Sequence, residues 1–271
     1  MRLNIDHRTR YSFSEPQNRV VQLLRMTPQD FGAQTVIDWT VSVNCDARMR
    51  EGRDGYGNVT TMLYVDGPID AVEIIVRGEV LTDDRGGLVV GVPETLPEIF
   101  YLRSTSLTEA DTAITSLAQD FSDADPARRA SRIAIDAYGR IAMQPGRTPK
   151  SRTAAQTLDQ KSGGVRDKAH LLLSVARAAG LPARFVSGHC LDGVAALGHK
   201  SAHCWVEIFV DGTGWVAFDP TTGLHIGESY VRVAIGLDAS DATPLSGTRR
   251  GGGIEELDVD VRVALSQSAE Q

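Results

Sequence analysis

GGVRDKAHLLLSVARAAGLPARFVSGH (Gly163–His189) and SAHCWVEIFVDGTGWVAFDPTTG (Ser201–Gly223) hold the sharpest local signals in the chain. In the first, Leu172, Val175, Ala176 and Ala179 recur at helical spacing, which predicts an amphipathic helix over 165–179. Gly180 suits a left-handed cap, and Pro182 blocks continuation. A short strand then fits 184–188. In the second stretch apolar and polar residues alternate over 203–210. Cys204, Val206, Ile208 and Val210 fall on one face, and His203, Trp205, Glu207 and Phe209 on the other. Asp211-Gly212-Thr213-Gly214 reads as a hairpin turn. A further strand over 215–219 stops at Pro220.

Outward from this core the pattern changes. Apolar residues alternate over 36–43, with similar runs at 59–65, 71–80 and 88–90. Asp54-Gly55, Asp66-Gly67-Pro68 and the stretch Asp83–Gly87 read as turns between them. Helical spacing returns over 107–121 and 126–143, where Asp125-Pro126 looks like an N-cap followed by proline at the first helical position. The expected fold class is α+β. A β-rich N-terminal domain of antiparallel strands covers about 1–105, and a helix-on-sheet core about 106–235. A loop-rich tail, 236–271, ends in a strand at about 254–265, which suits either sheet.

The chain has 271 residues, with 28 Lys+Arg against 35 Asp+Glu and a formal charge of -7. That length buries a core without a metal or disulfide scaffold. The acidic balance argues against nucleic acid as a partner. No run approaches the ~18 apolar residues of a membrane span, so no membrane partner is expected. The first residues, MRLNIDHRTRYSF, lack an apolar signal-peptide segment, and three cysteines agree with a reducing compartment. The expected location is cytoplasmic.

Chemistry gathers late in the chain. Five of the six histidines and two of the three cysteines lie between His170 and His225. Period-2 geometry and the hairpin allow Asp219 to sit beside His203. A carboxylate there would fix the imidazole tautomer and stabilise its charged form. Each residue alone reads more readily as a packed histidine or a turn aspartate, and only their pairing across the hairpin brings the catalytic reading level. Cys204 adjoins His203 but points to the opposite, apolar face. His189, Cys190, His199, His203 and Cys204 form a run of metal-ligating types, yet their spacing fits no zinc-finger or ribbon pattern. No metal and no other cofactor is expected. His170 reads as packing or capping its helix, Arg166 and Asp167 as helix-terminus residues, and Ser162 and Ser201 as loop residues.

The two quoted stretches resemble the core of bacterial transglutaminase-like proteins, of the papain-like Cys-His-Asp superfamily. Thr153–Leu158, Val231–Leu237, Gly251–Leu265 and the β-rich first half are similar to that family more loosely. The resemblance implies a papain-like core in which a cysteine opens the helix, with a histidine and an aspartate on the strands beyond. Aligned through Arg166, Asp167, Ala169 and His170, the nucleophile position holds Val165. His203 and Asp219 match the general base and the orienting acid. Valine has no lone pair and forms no acyl-enzyme. The first expectation is therefore a silent relative that keeps a peptide- or amide-binding cleft. A second is an active hydrolase or acyltransferase using Cys190 or a His203-activated water. A third is a metal-binding protein built on the His/Cys cluster.

Overall fold

A computed structural model describes residues 1–123, 125–144, 152–191 and 202–266. In chain order the elements are β1 (Arg2–Thr27), β2 (Gln34–Val43), β3 (Arg48–Arg53), β4 (Val59–Thr82), β5 (Leu88–Val89) and a 3₁₀ turn (Glu98–Leu102). Then come α1 (Thr112–Gln119), α2 (Pro126–Arg140), β6 (Ala142–Met143), α3 (Ala154–Gln160), β7 (Ser162–Gly163) and α4 (Val165–Ala178). The rest is strand: β8 (Ala183–Cys190), β9 (His203–Val210), β10 (Gly214–Asp219), β11 (Leu224–His225), β12 (Tyr230–Gly236), β13 (Leu245–Arg250) and β14 (Glu255–Leu265). The fold class is α+β, as the sequence predicts.

Two antiparallel sheets carry the fold. In the first, β1 lies between β4 on one side and β13 and β14 on the other, with β2 and β3 beyond β4. The second runs β11-β10-β9-β8-β12, with β5 beside β10. The final strand therefore returns to the N-terminal sheet, where Leu3 faces Leu265 and Phe13 faces Glu255.

Three local expectations are corrected. Asp66-Gly67-Pro68 does not end a strand, because β4 continues through it beside β1. The ladder slips there, between Ser12 and Arg19 of β1. A proline lacks the N–H of a regular ladder and is tolerated at such an irregularity. Gly67 is required as well, since a Cβ on it would collide with the Gln17 carbonyl oxygen. The helix expected over 107–121 is only Thr112–Gln119. Asp111 caps it by accepting from the Ile114 N–H at 2.8 Å, and that fixes its start. The next helix stops at Arg140, because residues 142–143 leave to pair with β7.

α4 is the hub of the core. Residues Asp167 through Arg177 are all buried in it. Its apolar side chains pack with Cys204, Val206, Ile208 and Val210 from one face of β9. The other face carries Trp205, packed with Val186, Trp215 and Ala217. The helix ends in a Schellman pair of bonds: Leu181 N–H to Ala176 O at 2.9 Å and Gly180 N–H to Arg177 O at 2.9 Å. Gly180 takes the required left-handed φ of 79°. Arg177 is buried and donates to the carbonyls of Tyr101, Ala183 and Leu237 and to Thr108 Oγ1, at 2.7–3.1 Å.

Two histidines meet where the sheets touch. His7 Nδ1 of β1 lies 3.2 Å from His189 Nε2 of β8, and Thr9 Oγ1 is 3.3 Å from His7 Nε2. Both imidazoles are buried. Burial pushes His7 down to about 4, against the opposing pull of Asp260 and Asp6. Burial and the neighbouring His7 push His189 down to about 3. Between these values and the ordinary 6.5, the unfolded chain holds more protons than the folded one. Stability is therefore full above pH ~6.5 and falls as pH drops toward the folded values. At pH 5 the expected loss is about 2 kcal/mol per histidine. Urea titrations of the parent and of His189→Asn at pH 7 and pH 5 test this. The variant should lose less stability on acidification, and equal losses would exclude the pair as the cause.

Candidate active site

His203 opens β9 and Asp219 closes β10. The hairpin register sets Phe218 opposite Val206, so Asp219 falls beside the start of β9, on the face that His203 shares with Trp205. The result is a 2.7 Å hydrogen bond from His203 Nε2 to Asp219 Oδ2, with both side chains buried. The neutral ring thus carries its proton on Nε2. His203 Nδ1 is buried with no hydrogen-bond partner among the described residues.

Asp219 is held on all sides. Oδ1 accepts from the Thr221 N–H and hydroxyl, both at 2.7 Å. Oδ2 also accepts from the Tyr230 hydroxyl at 2.8 Å. Burial pushes this carboxyl up, but the hydrogen bond and charge of His203 and the bonds from Thr221 outweigh it. The net effect holds Asp219 below the usual carboxylate range, so it remains ionised. Two aromatic rings flank the imidazole: His203 and Tyr230 centroids lie 5.9 Å apart, His203 and Trp205 6.4 Å, and Trp205 and Tyr230 5.5 Å.

Val165 is the first residue of α4 and packs, half-buried, against the helix-facing core. Gly164 precedes it with no capping side chain, so Asp167 reaches back and accepts the Gly164 N–H at 3.0 Å. Its other oxygen accepts the Arg152 N–H at 3.0 Å, which ties the incoming loop to the helix start. Lys168 is buried and donates to the Ile141 carbonyl at 2.9 Å. Burial lowers its pKa, and the charge of Asp219 opposes that.

The remaining candidates are dispersed. Cys190 stands opposite Tyr230 in the β8–β12 ladder and hydrogen-bonds its phenol. Cys204 faces α4, and burial pushes its thiol far up. His189 is engaged with His7. His170 joins α4 to two backbones, accepting from the Ala239 N–H at 3.2 Å and lying 3.4 Å from the Arg152 carbonyl. His199 and Ser201 lie outside the described residues. Among the described residues no three His, Cys, Asp or Glu side chains gather as metal ligands.

Sequence reasoning did not single out Tyr230, Thr221 or Lys168. Thr221 had a signal, because Asp-Pro-Thr-Thr suits a turn in which the aspartate accepts from the residue two positions on. Tyr230 had none, since its place depends on how β12 pairs with β8.

A buried helix packed on an antiparallel sheet, with a paired histidine and aspartate on adjacent strands, defines a papain-like core of the transglutaminase type. Residues 115–220 match the transglutaminase-like superfamily. Residues 3–81 match the bacterial transglutaminase-like N-terminal region. The chain belongs to the bacterial transglutaminase-like proteins. It is 27% identical to an uncharacterized protein of Mycobacterium leprae, over 97% of this chain and 98% of that one. It is 24% identical to an uncharacterized protein of Mycobacterium tuberculosis, over 96% and 92% of the two chains. The crystal structure of a cysteine-protease candidate from Cytophaga hutchinsonii shares the fold, with a TM-score of 0.78 at 20% identity, over 100% of this chain and 92% of that one. No helix among the described residues is long and apolar enough to cross a membrane.

Proposed function

We propose that this chain is a transglutaminase-like protein that binds a peptide or amide group without forming an acyl-enzyme. The observation that carries the reading is Val165 at the first position of α4. In the aligned family motif that position belongs to the nucleophile. A cysteine there would gain from the helix N-terminus and from a neighbouring imidazole. An isopropyl group gains nothing from either and attacks no carbonyl. The general base and its orienting acid persist as the His203–Asp219 pair. With Nε2 committed to Asp219, Nδ1 offers a lone pair to an amide N–H.

Cys190 does not fill the gap in this reading. A thiolate is favoured beside a cation or a helix N-terminus. The partner here is a phenol that itself leads to a carboxylate. A second reading draws on the same Nδ1, which is placed to activate a water and hydrolyse an amide without a covalent step.

The test is a peptide aldehyde or chloromethyl ketone followed by intact-mass analysis, together with an amide library assayed for turnover. The expected result is neither an adduct on a residue beside His203 nor turnover. An adduct on such a residue overturns the proposal. Turnover that vanishes in His203→Ala replaces it with the water mechanism.

A further inference from the structure

We propose that Tyr230 is a positioning residue that tunes the basicity of the His203–Asp219 pair through a shared carboxylate oxygen. This goes beyond the reading above and stands whether or not Val165 marks a lost nucleophile. Asp219 Oδ2 accepts from His203 Nε2 at 2.7 Å and from the Tyr230 hydroxyl at 2.8 Å. An ionised carboxylate only accepts, so the single phenolic hydrogen is committed to Asp219. Cys190 stands opposite Tyr230 in the β8–β12 ladder and contacts the same phenol. Tyr230 and His203 thus donate to one oxygen of Asp219 from two sides.

Sharing one oxygen has a chemical consequence. Each donor on Oδ2 draws charge from the oxygen and weakens what it offers the other donor. Tyr230 thus limits how strongly Asp219 stabilises an imidazolium. It also helps hold that oxygen against Nε2, which leaves Nδ1 as the acceptor. A phenylalanine would fill the same space against Trp205 and His203 but would give no hydrogen to Asp219. The hydroxyl is therefore separable from the ring.

Among the described residues, the charged and titratable groups around the pair are few. Lys168 acts on Asp219 from α4. Cys190 and Tyr230 come from β8 and β12. Glu207, two residues beyond Trp205 on the same strand, is engaged by Arg184 and Arg232. Arg166 and Asp167, at the start of α4, act on Cys204 behind the strand.

The test is the ring ¹⁵N signals of His203 followed across pH in the parent chain and in Tyr230→Phe. Without the phenolic donor, the pH at which the ring takes its second proton should rise by about half a unit to one unit. Fluorotyrosine in place of tyrosine, a stronger donor in the same space, should move it the opposite way, and serves if Tyr230→Phe fails to fold. A purely structural tyrosine would lower the melting temperature and leave the titration where it was. An unchanged titration in both variants overturns the proposal.

Discussion

Val165→Cys should produce a thiol whose alkylation persists well below pH 7. An ordinary cysteine, with a pKa near ~8.5, is only about 1% thiolate at pH 6.5. At the start of a helix and beside an imidazole the pKa falls to between ~3.5 and ~7.5. A value near ~6 would raise the thiolate fraction at pH 6.5 roughly 75-fold. The less basic thiolate is also a weaker nucleophile, which gives back about tenfold. The net rate gain is therefore about 5- to 10-fold, and the sharper sign is the pH profile, whose midpoint moves down by about two and a half units. Two of the three native cysteines make a quiet background, because burial raises the thiols of Cys45 and Cys204, and peptide mapping separates the signal of Cys190. Iodoacetamide alkylation from pH 5 to pH 9, with peptide mapping, measures the profile. Adding His203→Ala should restore ordinary behaviour. An ordinary profile in Val165→Cys alone would mean that the imidazole does not serve the first position of α4.

Glu207→Gln should cost about 3–5 kcal/mol of stability, more than any single surface change. Glu207 is fully buried between two arginines. It accepts from Arg184 Nε at 2.6 Å and from Arg232 Nε at 2.7 Å. Arg184 is itself buried, with its guanidinium carbon 3.9 Å from the centre of the Trp215 ring. Its other acidic partner, Glu94 at 2.7 Å, is partly exposed. Removing the Glu207 charge leaves buried Arg232 without its carboxylate and Arg184 with Glu94 alone, and that uncompensated buried charge is the source of the cost. Burial pushes the Glu207 carboxyl up, but the arginines overcome it and hold the group at about 2. Its contribution is thus present above the unfolded value of 4.5 and is lost as pH falls through about 2. Urea unfolding at pH 7 measures the loss as a lower midpoint with an unchanged slope. A loss under ~1 kcal/mol would mean that water or rearrangement solvates both arginines.

The parts of the fold that read clearly were those where one local signal sufficed. Alternation fixed β9, because Cys204 to Val210 repeat apolar residues at every second place. Gly180 and Pro182 fixed the end of α4. The face shared by His203 and Trp205 followed from the same alternation, and the hairpin brought Asp219 alongside. β1 gave no such pattern. Its buried face is interrupted by His7, Thr9 and Gln17, polar residues that only their partners make tolerable inside. β4 looked like two strands, because Asp66-Gly67-Pro68 carries strong turn chemistry that the neighbouring strand overrides. Tyr230 was invisible for a related reason. A tyrosine at the start of a strand says nothing about which carboxylate it will meet 11 positions away in the chain.

The placement of β1 between β4 and the two last strands affects how the molecule comes into being. Leu3 through Phe13 wait for hydrogen-bonding partners at residues 255–265, which are synthesised long after them. Until then β1 presents a bare edge, the kind of template that recruits stray chains. Closure over so long a separation is slow. Newly made chains should therefore depend on chaperones most in the interval before the final strand emerges.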